Sequence, residues 1–250
     1  MEQIFGRIPA LLLTLFSAVA AFVLRTSQLE GAYDASGRMV VGLGDSPLTL
    51  LCLVMVLVFA VYSFFLVPRK TYAVVASDHP AVFVVTVASA AAMLLGSVLL
   101  VLNLGQMSDL LVATSGMVMA ICWFVAGLER VRGRKVPAAL FMLPALLCAV
   151  ELICEFRFWS RDPQILAYCF DLLAMICVMC ATYHLGGFCF NKGGRRRTAF
   201  FCLCGVFFCA AAMVDGAANS QIRSAASALW LLANLMPLLR RTKKHKDEDE

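Results

Sequence analysis

Apolar blocks of roughly 17–22 residues, about the length that an α-helix needs to cross the hydrocarbon core of a bilayer, recur along the whole chain. None of them has the polar stripe of an amphipathic helix, and none alternates at every second residue as barrel strands do. The chain is 62% hydrophobic and 15% charged, whereas soluble domains are about 45–50% apolar and about 25% charged. The sequence therefore predicts an all-α, polytopic membrane protein.

The apolar blocks divide into eight segments, which predicts a bundle of about eight transmembrane helices in one domain over residues 1–239. The fifth and eighth segments are short and contain Pro144 and Pro237, so a kink or a partial span is expected there, and seven spans is the alternative. Residues 240–250 form a charged tail that is expected to be disordered. The predicted segments are 8–24, 48–67, 81–102, 110–128, 138–154, 165–185, 198–214 and 224–239.

Basic residues fall mostly on one side of the eight-span arrangement. Sixteen of the 21 lysines and arginines lie in the N-terminus, in the tail and after the second, fourth and sixth segments. Because cytoplasmic loops are enriched in Lys and Arg, both termini are predicted to be cytoplasmic in a multi-pass protein of the cell membrane. These clusters explain the net charge of +5, and their expected partner is the lipid bilayer rather than nucleic acid.

Two features near the N-terminus are each compatible with two interpretations. The outer loop 26–47 has a turn signature at Asp34 and Gly37 before the β-prone run 39–41, which fits a small β-hairpin cap or a flexible linker. The small residues after Ser17 resemble a signal-peptide cleavage site. The apolar run continues through Leu24, which favours an uncleaved first span.

Motifs of soluble catalysis or metal binding do not occur in the sequence. The chain has 11 cysteines, and Cys177 and Cys180 form a C-x-x-C in the middle of an apolar segment, where a reactive thiolate is disfavoured. The cysteines are therefore interpreted as small core residues. No catalytic residue, metal ligand or cofactor is predicted, and enzymatic activity is not expected.

Two carboxylates interrupt the apolar pattern of the fifth and sixth segments. Glu151 lies near the end of the fifth, and Asp171 lies about six residues into the sixth, or roughly 9 Å at 1.5 Å per residue. Acids inside a membrane usually face a protein interior or water and often mark functional sites. Asp171, followed by Glu151, is the predicted ion or substrate site, with charge partners expected among Arg25, Arg157 and Arg223.

A structural interpretation competes with this one for the other acids on the same side. Carboxylates near the interface reach water and pair with arginines or headgroups without any further function. We prefer that interpretation for the shallow acids, which are Asp109, Glu155, Asp162 and Asp215.

Small and polar residues inside the segments predict contacts between helices. Gly96 and Gly116 allow two helix backbones to approach closely. Asn234, in the eighth segment, is expected to link two helices by a hydrogen bond of about 0.6 kcal/mol.

Two functions fit these observations. The first is a small transporter, or a subunit associated with transport, with an outward-facing polar cavity at Asp171 and Glu151. The alternative is a non-catalytic membrane partner, a scaffold or sensor subunit that binds another membrane or cytoplasmic protein through its basic loops. The sequence does not choose between them.

Overall fold

Eight helices make up nearly all of the described structure. The computed structural model describes residues 8–30, 47–67, 80–103, 105, 107–159, 169–190, 192–214 and 217–239, and no strand occurs among them. The helices are α1 (Ile8–Glu30), α2 (Pro47–Val61, with a π-helical turn at Tyr62–Leu66), α3 (Pro80–Leu102), α4 (Met107–Val131), α5 (Ala139–Trp159), α6 (Cys169–Cys189), α7 (Arg195–Ala212) and α8 (Ala218–Leu238).

The predicted membrane class is confirmed at the level of helix length and composition. Among the described helices, α1 to α6 are long and apolar enough to cross a membrane. Both α7 and α8 fall short of that apolarity, so six rather than eight described helices qualify on these grounds alone. The expected kinked or partial fifth span is 21 residues long, and its helix continues through Pro144. Helix α8 likewise continues through Pro237.

Residues that suit helix ends mark several of the boundaries. Pro47 and Pro80 occupy the first positions of α2 and α3, where the missing N–H of proline has no cost. Gly133, with a φ of 67°, follows the end of α4 in a left-handed conformation that other residues rarely adopt. Helix α1 extends to Glu30, so the loop predicted from residue 26 is wrong for its first five residues. Residues 31–46, where the hairpin cap was predicted, and the tail 240–250 lie outside the described residues.

Helices α3 to α8 form a closed ring. Each packs on the next in chain order, and α8 packs on α3 to complete the circle, so α5 and α8 stand on opposite sides of it. Helices α1 and α2 pack outside the ring against α7. Fourteen of the 18 residues of α7 are buried as a result. Helix α7 falls short because its 18 residues begin with three arginines, Arg195 to Arg197, whereas residues 198–212 are almost entirely apolar.

The two ends of the ring carry different charges. We call the end with Asp109, Glu155 and Asp171 the acidic end, and the end with Arg130 and Arg195 the basic end. At the basic end the Nε atom of Arg195, in the first turn of α7, donates to the Leu238 carbonyl at 2.5 Å. Helix α8 therefore ends at the basic end, next to the start of α7.

Candidate functional site

The ring encloses a polar cavity near its acidic end, which we call the central cavity. It has a volume of about 150 Å³, and all six helices of the ring contribute to its wall. Its polar lining comes from α5, α6 and α8, and its apolar lining comes mainly from methionine, cysteine, alanine and valine. The polar residues are Glu151, Glu155, Asp171, Ser220, Arg223, Ser224 and Ser227.

Glu151 and Arg223 form an ion pair across the interior of the ring. The Nη2 atom of Arg223 donates to the Oε1 atom of Glu151 at 2.5 Å, although their helices α8 and α5 are opposite each other. The Ser115 hydroxyl of α4 donates to the same carboxylate oxygen. Glu151 is only 2% exposed. A carboxylate so deeply buried needs both a counter-ion and hydrogen bonds, and Arg223 and Ser115 supply them.

A stripe of polar residues on α8 supplies one wall of the cavity. Ser220, Arg223, Ser224 and Ser227 all line it, and they recur at the i, i+3, i+4 and i+7 spacing of a single helix face. The three serines were not among the predicted site residues, all of which are charged. Their spacing within the apolar run of α8 was the signal that would have found them.

Two glycines make room for the arginine of the pair. A Cβ atom at Gly96 of α3 would lie 2.8 Å from Cγ of Arg223 and 3.1 Å from the backbone oxygen of Asn219. A Cβ atom at Gly116 of α4 would collide with the Ser97 hydroxyl and lie 3.5 Å from Nε of Arg223. These glycines were expected to bring helices close together, and the structure shows that they also seat the Arg223 side chain.

Asp171 and Glu155 line the central cavity but are less enclosed than Glu151. Both side chains are half-buried. Asp171 lies in the first turn of α6, because that helix begins at Cys169. The predicted depth of about six residues counts from residue 165, and residues 165–168 lie outside the described residues. Of the acids that line the cavity, Glu151 is the most buried. Glu155, assigned to the interface by the sequence analysis, joins the same cavity lining.

The other predicted charge partners lie elsewhere. Arg25 of α1 is 1% exposed, and its Nη1 atom donates to Oε1 of Gln28 at 2.8 Å. Its guanidinium lies 4.8 Å from the ring centroid of Phe170. It lines a separate, largely apolar cavity of about 630 Å³ formed by α1, α2, α6 and α7. The Arg157 side chain lies outside the described residues.

Below the central cavity, the interior of the ring is filled by apolar and aromatic side chains. Met93 and Met119, each 2% exposed, form part of the cavity floor. Towards the basic end, Trp123 of α4 and Trp230 of α8 stack with centroids 4.8 Å apart and planes 6° apart. Phe141 of α5 lies 6.3 Å from Trp230. The cavity is thereby closed towards the basic end.

Arg130 lies beyond this aromatic layer, in the last turn of α4. It is 3% exposed, and its guanidinium is 5.3 Å from the Phe141 centroid and 5.8 Å from that of Trp230. Its Nε and Nη1 atoms have no hydrogen-bond partner among the described residues. Cation–π contacts contribute about 0.5–2 kcal/mol, whereas burying an ion costs several kcal/mol. The aromatic rings alone do not compensate this charge.

Two remaining predictions about polar groups have clear outcomes. The Nδ2 atom of Asn234 donates to the Trp230 carbonyl of its own helix at 2.7 Å. The expected link from Asn234 to another helix is therefore wrong, and its Oδ1 atom has no partner in the described part of the chain. All 11 cysteines are free thiols. Within the described ranges, no group of three or more His, Cys, Asp or Glu side chains is placed to hold a metal ion.

Comparisons with known proteins add no family to this description. No protein-family model, no curated protein and no solved structure matches the chain. The central cavity and the chemistry of its lining are thus the basis for any functional conclusion.

Proposed function

We propose that the chain is a small membrane transporter whose central cavity binds a proton or a small hydrated cation. The observation that carries the proposal is the Glu151–Arg223 pair, held across the ring inside a cavity to which every ring helix contributes. An ionisable pair at this depth is expensive to bury, and such groups in membrane proteins mark ion and substrate paths.

The size of the central cavity limits the substrate class. Cavities for drug-sized ligands measure about 300–1,000 Å³, and this one measures about 150 Å³. It has room for a few water molecules and one small ion. Large organic substrates do not fit.

The charge of the lining favours a cation. Three carboxylates, Glu151, Glu155 and Asp171, face one guanidinium, that of Arg223. When all are ionised the site carries a net negative charge, which attracts a cation or is relieved by protonation. The three serine hydroxyls of α8 add neutral oxygen ligands of the kind that small hard cations accept.

The ring also supports an asymmetric access route. The polar lining faces the acidic end, and the methionines and the tryptophan pair fill the interior towards the basic end. With the basic end in the cytoplasm, as the distribution of Lys and Arg favours, the cavity opens outward from a cell membrane. Transport then requires the aromatic layer to separate, as alternating access demands.

Flux through reconstituted vesicles tests the proposal. Purified protein is placed in liposomes that contain a pH-sensitive dye or a sodium-sensitive dye, and an ion gradient is imposed. We expect flux above that of empty vesicles for at least one ion, and a loss of roughly tenfold or more for Glu151→Gln and Asp171→Asn. Asp109→Asn, at the acidic end but outside the cavity lining, is the matched control and should transport normally.

Two results would contradict the proposal. Absence of proton, sodium and potassium flux from well-folded protein would favour the alternative, a non-transporting scaffold or sensor subunit with a protein partner. Normal flux in both cavity variants would show that transport does not use this site. Size-exclusion profiles of each variant establish that the protein is folded before flux is compared.

A further inference from the structure

A second polar site lies at the opposite end of the ring, around Arg130. The side chain is more than nine-tenths buried, and two of its guanidinium nitrogens, Nε and Nη1, lack hydrogen-bond partners in the described structure. Glu129, the acid next to it in sequence, lies 3.7 Å from the exposed Arg132 instead. Buried donors of a charged group are nearly always satisfied, so these two call for an acceptor.

The surroundings of Arg130 indicate an anionic acceptor. The centroids of the Phe141 and Trp230 rings lie 5.3 Å and 5.8 Å from the guanidinium, and aromatic carbons offer its N–H groups no conventional acceptor. A planar guanidinium matches the oxygen spacing of phosphate and carboxylate better than it matches a spherical ion. Arg132, Arg134 and Lys135, all exposed, follow in the connection to α5 and raise the local concentration of anions.

We propose that Arg130 binds one phosphate group at the basic end of the ring, supplied by an anionic lipid headgroup or by free phosphate. Arg130 lies within one turn of the end of α4. Because its side chain is only 3% exposed, binding requires the side chains that cover it to move apart. The phosphate group accepts hydrogen bonds from the guanidinium and neutralises the charge that the aromatic rings leave uncompensated. The proposal does not rest on the proposed transport function, since none of the residues that line the central cavity is used to argue it.

Tryptophan fluorescence gives a direct readout of this site. The chain has three tryptophans, so a Trp159→Phe background leaves only the stacked pair, one member of which contacts Arg130. Protein in neutral detergent is titrated with inorganic phosphate against chloride at matched ionic strength. In parallel, it is placed in bilayers of phosphatidylglycerol or of phosphatidylcholine. Melting temperature is recorded in every arm as a second readout.

We expect a saturable fluorescence change and a higher melting temperature with phosphate, with phosphatidylglycerol, or with both. A response to free phosphate identifies a soluble source, and a response only to phosphatidylglycerol identifies the headgroup. Arg130→Gln should weaken either response by roughly tenfold or more. Arg130→Lys should keep the charge but bind less tightly, because lysine lacks the planar fork. Arg132→Gln, on the exposed neighbouring arginine, should respond as the parent does.

Three outcomes would overturn the proposal. The first is an equal response to chloride and phosphate, since the site would then sense only ionic strength. The second is an unchanged response in Arg130→Gln or, if that variant does not fold, in Arg130→Lys. The third is the absence of any signal from both phosphate and phosphatidylglycerol in the parent protein.

Discussion

Arg223 and Arg130 both reach into the same ring of helices, yet their charges are compensated differently. Arg223 reaches across the acidic end to Glu151, whose carboxylate also accepts a hydrogen bond from Ser115. Arg130 at the basic end lies beside Phe141 and Trp230, with no ion pair to an acid among the described residues. The first charge is matched within the chain, whereas the second is left for a partner. Removing Arg223 should therefore lower the stability of the fold much more than removing Arg130.

Arg223→Met should have the largest effect on stability. It leaves Glu151 buried without its counter-ion, and breaking a buried pair from one side costs about 3–5 kcal/mol. The free energy of unfolding in mixed micelles, followed by circular dichroism, measures the loss. Adding Glu151→Gln to the same protein should recover part of it, because no uncompensated charge then remains. A single Arg223→Met variant as stable as the parent would show that the pair does not hold the acidic end together.

Gly96→Ala should have the next largest effect, because it disturbs the seat of Arg223 rather than its charge. The new methyl group would meet the Arg223 stem and the Asn219 backbone oxygen, which separates α3 from α8. Overpacking of this kind costs about 1–3 kcal/mol. The control is Gly105→Ala, whose added Cβ would lie 3.4 Å from an Asp109 oxygen in ordinary contact. Equal stability of the two variants would contradict the seating role of Gly96.

Ser115→Ala should have a smaller effect, since it removes one hydrogen bond but leaves the ion pair. A hydrogen bond to a charged group contributes about 1.5–3 kcal/mol. Because serine is small, the side chains around residue 115 can relax and reduce the loss of stability. Thr114→Ala is the matched control, because the exposed Thr114 hydroxyl donates only to carbonyls of its own helix. The comparison uses the same unfolding measurement in micelles. Identical losses in both variants would contradict a contribution of Ser115 to the site.

Arg130→Met should have the smallest effect, and it completes the comparison with Arg223. In neutral detergent without phosphate or anionic lipid, the substitution removes an uncompensated buried charge and keeps much of the side-chain volume. Unfolding free energy should stay within about 1 kcal/mol of the parent or rise above it. A loss as large as that of Arg223→Met would mean that Arg130 has a counter-ion within the chain, and the contrast between the two ends would fail.

The sequence predicted the helices well because membrane helices are specified by local apolar length. Seven of the eight predicted segments start within a few residues of the start of a described helix. The eighth starts later than its helix, because the first turn of α8 is more polar than the rest. The depth of Asp171 in its helix stays a prediction, because the apolar run before it, residues 165–168, lies outside the described residues and α6 is described from Cys169.

The site was predictable only in part, because it depends on which helices are opposite each other. Glu151, Asp171 and Arg223 were identified as unusual from the cost of charge in lipid. The pairing of Glu151 with Arg223 was not predicted, since Arg25, Arg157 and Arg223 were equally available as partners. Only the order of helices in the ring brings α5 and α8 face to face. Arg25 has the same sequence signal as Arg223, yet it lies in another cavity beside Phe170. Sequence alone contains no information on that choice here.

The central claim is that the cavity inside the ring is reached by water and ions from one side of the membrane. Ser227→Cys, on the cavity lining, and Leu229→Cys, off it, are each exposed in sealed vesicles to a small cationic thiol reagent that does not cross bilayers. Both parent side chains are half-buried, so the two positions differ in what they face rather than in overall exposure. No native cysteine follows Cys209, so label on the peptide after Arg223 is assigned by mass spectrometry without ambiguity. We expect modification of Ser227→Cys from the acidic end only, and little at Leu229→Cys. Equal labelling of the two positions, or none at residue 227 from either side, would contradict it.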